Sequence, residues 1–158
     1  MGDRISVDVT DASDADGVPA AAAIRKWVRA AVGRLAGNPL LEVSVRIVGE
    51  AEGRQLNGEY RDRDGATNVL SFPAGEPVSG LPDDVPRSLG DIVVCAPVVA
   101  REAAAQGKAP AAHWAHMLVH GSLHLLGCDH RRDDEAEAME ALEKQILADL
   151  GIADPYQS

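Results

Sequence analysis

Leu41-Glu42-Val43-Ser44-Val45-Arg46-Ile47-Val48 alternates apolar and polar residues. Successive side chains of a strand point to opposite faces, so Leu41, Val43, Val45 and Ile47 share one side. Such a strand must bury that side against another layer. Upstream, residues 19–35 read as a helix. At about 100° per residue, Ile24, Val28, Ala31 and Leu35 fall on one face. Arg25, Lys26 and Arg29 lie together on another. Pro19 stands near the first turn and Gly37-Asn38-Pro39 is the stop signal.

Outward from this pair, Ile5, Val7 and Val9 mark a strand over 4–9, and 51–60 is a weak, short helix. Residues 67–72 and 89–95 are strand-like, and 97–107, 110–126 and 133–150 are helical. The order β-α-β-α-β-β-α-α-α predicts an α+β fold: a small mixed β-sheet with helices packed against it. The intervening 73–88 carries Pro73, Pro77, Pro82 and Pro86, with Gly75 and Gly80. A loop of that length in a compact domain is expected to be functional or mobile.

The chain has 158 residues, which predicts one domain over 1–158 with a core that needs no disulfide. Aromatics make up only 3%, so Leu, Val, Ile and Ala must fill that core. Cys95 and Cys128 are too few for a disulfide framework, which favours a reducing, cytoplasmic setting. No apolar run approaches the ~20 residues of a membrane span. The start Met1-Gly2-Asp3-Arg4 has no apolar stretch behind it, so no secretory signal is expected. Met1-Gly2 before Ser6 fits a loose myristoylation pattern, but Ile5, Val7 and Val9 already read as a strand.

Fifteen Lys and Arg against twenty-five Asp and Glu give a net charge of −10. Taken globally, that disfavours nucleic-acid binding, which needs cations at the contact surface. The charge is uneven, however. Residues 17–41 contain no acid but carry Arg25, Lys26, Arg29 and Arg34, whereas 133–143 hold six acids and no base. A local basic face on an acidic protein is therefore open, as is the plainer reading of a solvated helix face.

All five histidines fall between His113 and His130. His120 and His124 stand one helical turn apart on one face, where they can share a metal. Gly127 is placed to end the helix in the left-handed conformation, letting the chain turn back to bring His130 to the same ion. The spacing H-x-x-x-H-x-x-G-x-x-H is that of the metzincin zinc site. His116 and His124 lie about 12 Å apart along a helix at 1.5 Å per residue, too far for one ion. His116 with His120 lacks a closely following glycine turn, so the triad His120, His124, His130 is preferred. His113 and His116 read as structural or supporting residues. Three neutral nitrogens leave a fourth position for water, as in catalytic zinc.

A metzincin needs Glu directly after its first His as general base. Gly121 occupies that position here and Ser122 follows, so a peptidase lacks its proton acceptor unless a carboxylate arrives from elsewhere. A phosphodiester offers another route, because a metal and a guanidinium can stabilise phosphate. Arg61, at a helix end before a strand, suits a bidentate phosphate contact. An exposed pairing with Asp62 or Asp64 is its alternative. Asp129 is a turn-former or an acceptor that orients a ligand histidine. Cys95 and Cys128 read as small buried residues.

The stretch from His113 to His130, the run Thr67-Asn68-Val69-Leu70-Ser71-Phe72-Pro73 and the run Gly90-Asp91-Ile92-Val93-Val94-Cys95 together resemble the YbeY family. The resemblance extends from about Ile5 to Tyr156. It implies a metal-dependent, single-strand-type bacterial endoribonuclease of ribosomal RNA maturation and ribosome quality control. It further implies one zinc ion per chain on His120, His124 and His130, and activity through Arg61. The implied partners are ribosomal RNA, as a precursor or ribosome-bound, with ribosome-associated proteins beside it and no membrane. Under the resemblance, Arg25, Lys26 and Arg29 become candidates to track an RNA backbone. The chain departs from the family's pattern with Ala66 where Pro is frequent and Cys128 where an aromatic is usual. The competing classes are an assembly protein with a purely structural metal and, last, a metallopeptidase.

Overall fold

Leu41, Val43, Val45 and Ile47 are all buried, whereas Glu42, Ser44 and Arg46 between them are exposed. The computed structural model describes residues 5–35, 40–61, 68–74, 87–127 and 133–152, and for residues 35 and 59–61 the backbone alone. Its elements run β1 (Ile5–Asp11), α1 (Ala21–Leu35), β2 (Leu41–Val48), α2 (Glu50–Arg61), β3 (Val69–Pro73), β4 (Arg87–Cys95), α3 (Ala96–Gln106), α4 (Pro110–Leu125) and α5 (Asp133–Asp149). The order is the one the sequence pattern predicts. Boundaries differ where backbone pairing outruns apolar patterning. β4 starts two residues early because Arg87 and Ser88 pair with Leu41 and Glu42. The expected helix stop at Gly37-Asn38-Pro39 lies outside the described residues, as does most of the 73–88 loop.

The four strands form one mixed sheet in the order β1-β2-β4-β3. β1, β2 and β4 are parallel, and β3 runs antiparallel along the far side of β4. One face holds the main core. There the β2 stripe meets Ile24, Val28 and Ala31 of α1 and Leu118 and Leu123 of α4. Ile24, Val28, Leu118 and Leu123 have no measurable exposure. Truncating any one to alanine removes transfer energy and leaves a void, at about 2–5 kcal/mol for a leucine or isoleucine. The opposite face carries a smaller cluster of Val48, Leu70, Val93, Cys95 and Val98, with Leu56 of α2 and Phe72 against it. β3 divides between the two, Val69 facing the main core and Leu70 the other.

The register slips once. Glu42 opposes Ser88 and Val43 opposes Gly90, so Leu89 is an inserted residue. Such a bulge bends the strand and re-aims its side chains. Gly90 follows at φ 141°, a backbone state that L side chains rarely adopt. A Cβ there would also collide with the carbonyl oxygen of Phe72 and stand 2.9 Å from Leu125 Cδ2. Strand and helix thus meet at a point that tolerates no side chain. Gly90→Ala should cost about 2–5 kcal/mol by combining backbone strain with overpacking. Thermal unfolding followed by circular dichroism should show a drop on the order of 10 °C; an unchanged midpoint would mean that the bulge relaxes freely.

Candidate metal centre

Helix α4 is built for burial. Pro110 opens it in the first turn, where a missing N–H costs nothing. Eleven of its residues are buried, His113, His116, Gly121 and Ser122 among them. It ends as expected: the Gly127 N–H donates to the His124 carbonyl at 3.0 Å, and Gly127 takes φ 94°. Glycine makes this left-handed step without a Cβ clash.

His120 and His124 project together from the last two turns. Their ring centroids lie 4.6 Å apart, and the two Nε2 atoms face each other at 3.0 Å. Two ring nitrogens approach that closely only across a shared proton or a cation. A tetrahedral zinc with bonds of 2.0–2.1 Å separates its nitrogens by about 3.3 Å, so the pair fits one ion with a small opening. His130, Asp129 and Cys128 lie outside the described residues, and among those described no third metal-ligating side chain joins the pair.

Behind the pair lies a carboxylate that the sequence reading did not single out. Glu143 of α5 is 1% exposed. His120 Nδ1 donates to its Oε1 at 2.8 Å, and His116 Nε2 donates to its Oε2 at 2.7 Å. A proton on His120 Nδ1 leaves the Nε2 lone pair free toward His124, the tautomer a metal ligand needs. The same contact uses His116 Nε2 as a donor, so His116 supports the site from behind. One turn further back, His113 Nε2 donates to Glu102 Oε1 at 2.9 Å, and Asn68 Nδ2 donates to both Glu102 oxygens at 3.0 and 3.2 Å. The signal for Glu143 was present: it shares a buried stripe with Met139, Ile146 and Leu147. That spacing marks its burial but not its partners, which belong to another helix.

Gly121 decides how closely the helix can lie on the sheet. A Cβ there would stand 3.1 Å from both Ile92 Cγ2 and Val69 Cγ2, and 3.3 Å from Ser71 Oγ. The Ser71 hydroxyl donates to the Gly121 carbonyl at 2.9 Å, fixing the approach. Position 121 therefore faces β3 and β4. The residue after the first histidine is directed into the core, and a base placed there would have to displace the sheet.

Arg61 is the last residue of α2. That helix is anchored at its start, where Arg46 of β2 grips Glu52 through two contacts and Arg101 of α3 pairs with Glu50. The Arg101 guanidinium holds the Glu50 carboxyl below its ordinary range, first by hydrogen bonding and then by charge. Arg25 and Arg29 take positions the sequence did not indicate. Arg25 Nε donates to the Val7 carbonyl and Arg29 Nε to the Ile5 carbonyl, each at 3.0 Å. They cover the end strand β1, as edge strands require. Lys26 between them is exposed. Their edge lies three strand spacings from β3, about 14 Å at 4.8 Å per strand.

Cys95 is a buried free thiol, and burial pushes its pKa up, as expected of a packing residue. A groove of about 940 Å³ opens on the sheet face away from α4, lined by Asp8, Arg25, Arg46, Glu52, Phe72 and Asp91 among others. Its charged lining is three carboxylates, Asp8, Glu52 and Asp91, against Arg25 and Arg46, and Arg46 is paired with Glu52, so the floor of the groove is not a basic channel and any phosphate contact would fall to its Arg25 rim.

Residues 8–151 match the family described as Endoribonuclease YbeY. The chain belongs to the YbeY family. By family it is an RNA-cleaving hydrolase. It is 58% identical to the Endoribonuclease YbeY of Xanthomonas axonopodis pv. citri (strain 306), over 97% of this chain and 94% of that protein. It is 57% identical to that of Stenotrophomonas maltophilia (strain R551-3), with the same coverage. The solution structure of TM1509 from Thermotoga maritima shares the fold, with a TM-score of 0.58 at 23% identity over 96% of this chain and 99% of the other. Among the described residues no helix is long and apolar enough to cross a membrane.

The Gly121 packing yields a direct test. Gly121→Glu would supply the residue a metzincin uses, yet it should not confer peptidase activity. It should destabilise the fold by about 3 kcal/mol or more through overpacking and a buried charge. Chemical denaturation with a casein-cleavage assay checks both points; a stable variant that cleaves casein would show that position 121 reaches the metal.

Proposed function

We propose that this chain is a zinc-dependent endoribonuclease of single-stranded RNA, cytoplasmic, acting in ribosomal RNA processing and ribosome quality control. One zinc ion per chain would be held by His120, His124 and His130. The observation that carries the reading is the convergence of His120 Nε2 and His124 Nε2 at 3.0 Å, with Glu143 behind His120. When bound, the metal supplies Lewis-acid stabilisation of a phosphoryl oxygen and a water of lowered pKa. His120 and His124 present lone pairs from one helix face, while His116 and Glu143 keep the His120 ring from turning.

Arg61 is assigned to the scissile phosphate, where a planar guanidinium can grip two oxygens. Asp129 is assigned to orienting a ligand histidine. Arg25, Lys26 and Arg29 are assigned to the RNA backbone, with exposed Lys26 the first contact. The substrate is ribosomal RNA, as a precursor or ribosome-bound, and ribosome-associated proteins are the further partners. The crowding at Gly121 supports this over a peptidase, because no carboxylate base can occupy that position.

Zinc content, melting temperature and cleavage of a ribosomal RNA precursor fragment, measured together, test the assignment. Wild type should bind one equivalent of zinc and cut the RNA. His120→Ala should lose metal and activity together. Arg61→Ala should keep zinc and melting temperature but cut about ten- to a hundredfold more slowly, as loss of a charge-assisted contact of ~1.5–3 kcal/mol predicts. Arg61→Lys should recover part of that loss. Unchanged cleavage in a folded, zinc-loaded Arg61→Ala protein would remove Arg61 from the mechanism.

A further inference from the structure

Glu143 is the most deeply buried charged side chain among the described residues, and it sits on a different helix from the histidines it touches. A carboxylate taken out of water needs compensation, either from donors or from a nearby positive charge. His116 and His120 provide two donors. A divalent cation on His120 Nε2 would supply the charge, one imidazole away. The arrangement is that of a carboxylate–histidine–metal relay, in which the outer carboxylate fixes the tautomer and raises ligand basicity.

We propose that Glu143 is the positioning residue for the metal, and that His116 serves as its second anchor rather than as a ligand. The proposal rests on the zinc site proposed above. Oε1 holds the His120 ring with Nδ1 protonated, and Oε2 is held in turn by His116. Neither Glu143 oxygen is therefore free to swing toward the ion. Because Glu143 belongs to α5, the same contacts tie α5 to α4. Residues 126–132, which include His130, are the connection between those two helices. Docking of α5 and metal uptake are thus coupled through one side chain.

The test measures zinc affinity by chelator competition on the full chain, and melting temperature with and without zinc. Glu143→Gln keeps the shape and one acceptor oxygen for His120 Nδ1, presents an amide N–H that the other tautomer of neutral His116 can accept, and removes the charge. Zinc should bind about 10–100-fold more weakly, in line with other residues that orient metal ligands. The metal-free melting temperature should not fall, while the increase on adding zinc should shrink. Glu143→Asp retains the charge on a shorter arm and should recover part of the affinity; it also carries the test if the Gln variant does not fold. His116→Gln keeps an amide donor for Oε2 and should hold zinc within about threefold of wild type, whereas His124→Ala should lose it. Wild-type affinity in Glu143→Gln would overturn the role. So would a lower metal-free melting temperature with an undiminished increase on adding zinc, the mark of a purely structural residue. Loss of zinc in His116→Gln equal to that in His124→Ala would make His116 a ligand and overturn its part. Failure of the wild type to bind zinc would sink the metal centre itself, a result separate from any difference between variants.

Discussion

Helix α4 lies on β3 and β4 with no side chain between them at Gly121, and the rest of the site follows from that contact. Helix and sheet can approach this closely because Ile92 and Val69 fill the space a Cβ would need. Ser71 then ties the Gly121 carbonyl to the strand. Once position 121 faces the sheet, the 3.6-residue period puts His120 about 100° and His124 about 60° round the helix in the same sense, on one partly exposed flank. The metal pair is therefore a consequence of how the helix is seated. Gly90 serves the same seating from the other side, where Leu125 crosses the bulged strand.

The histidines are organised in depth. Among the described residues, only His120 and His124 bring ring nitrogens together, while His116 and His113 each donate to a carboxylate. Two glutamates from two other helices, Glu143 of α5 and Glu102 of α3, receive those donors. Asn68, next to β3, grips Glu102 in turn. A half-satisfied polar network in a core costs more than an apolar one, so such a chain persists only when its members hold one another. Here it links α3, α4, α5 and the start of β3 into one frame behind the site.

Charge is deployed more locally than the total of −10 suggests. Arg25 and Arg29, which look like a free basic strip, turn their Nε atoms onto β1 carbonyls. Arg46 and Arg101 are paired with Glu52 and Glu50, which ties the first turn of α2 to β2 and α3. Exposed pairs of this kind contribute little to stability, and their consequence here is placement.

The element order, the strand alternation in Leu41–Val48, the apolar face of α1, the turn at Gly127 and the spacing of His120 and His124 were all legible in the chain. Each is a local pattern, set by a period of 2 or 3.6 or by the conformational freedom of one glycine. Arg61, His130 and Asp129 were named from spacing and resemblance; of these, only the backbone of Arg61 lies within the described residues. Glu143, Glu102 and Asn68 were not legible as site residues, because their partners lie 11 to 34 residues away in the chain, on other elements. Nor could local pattern reveal that Gly121 is a packing residue, since that depends on Ile92 and Val69 arriving opposite it. Sequence by itself determined the periodic elements and the metal-ligand spacing, whereas the tertiary structure decided which histidines converge and which carboxylates hold them. The physical reason is that periodicity is written along one segment, while burial and partnership exist only between segments that folding brings together.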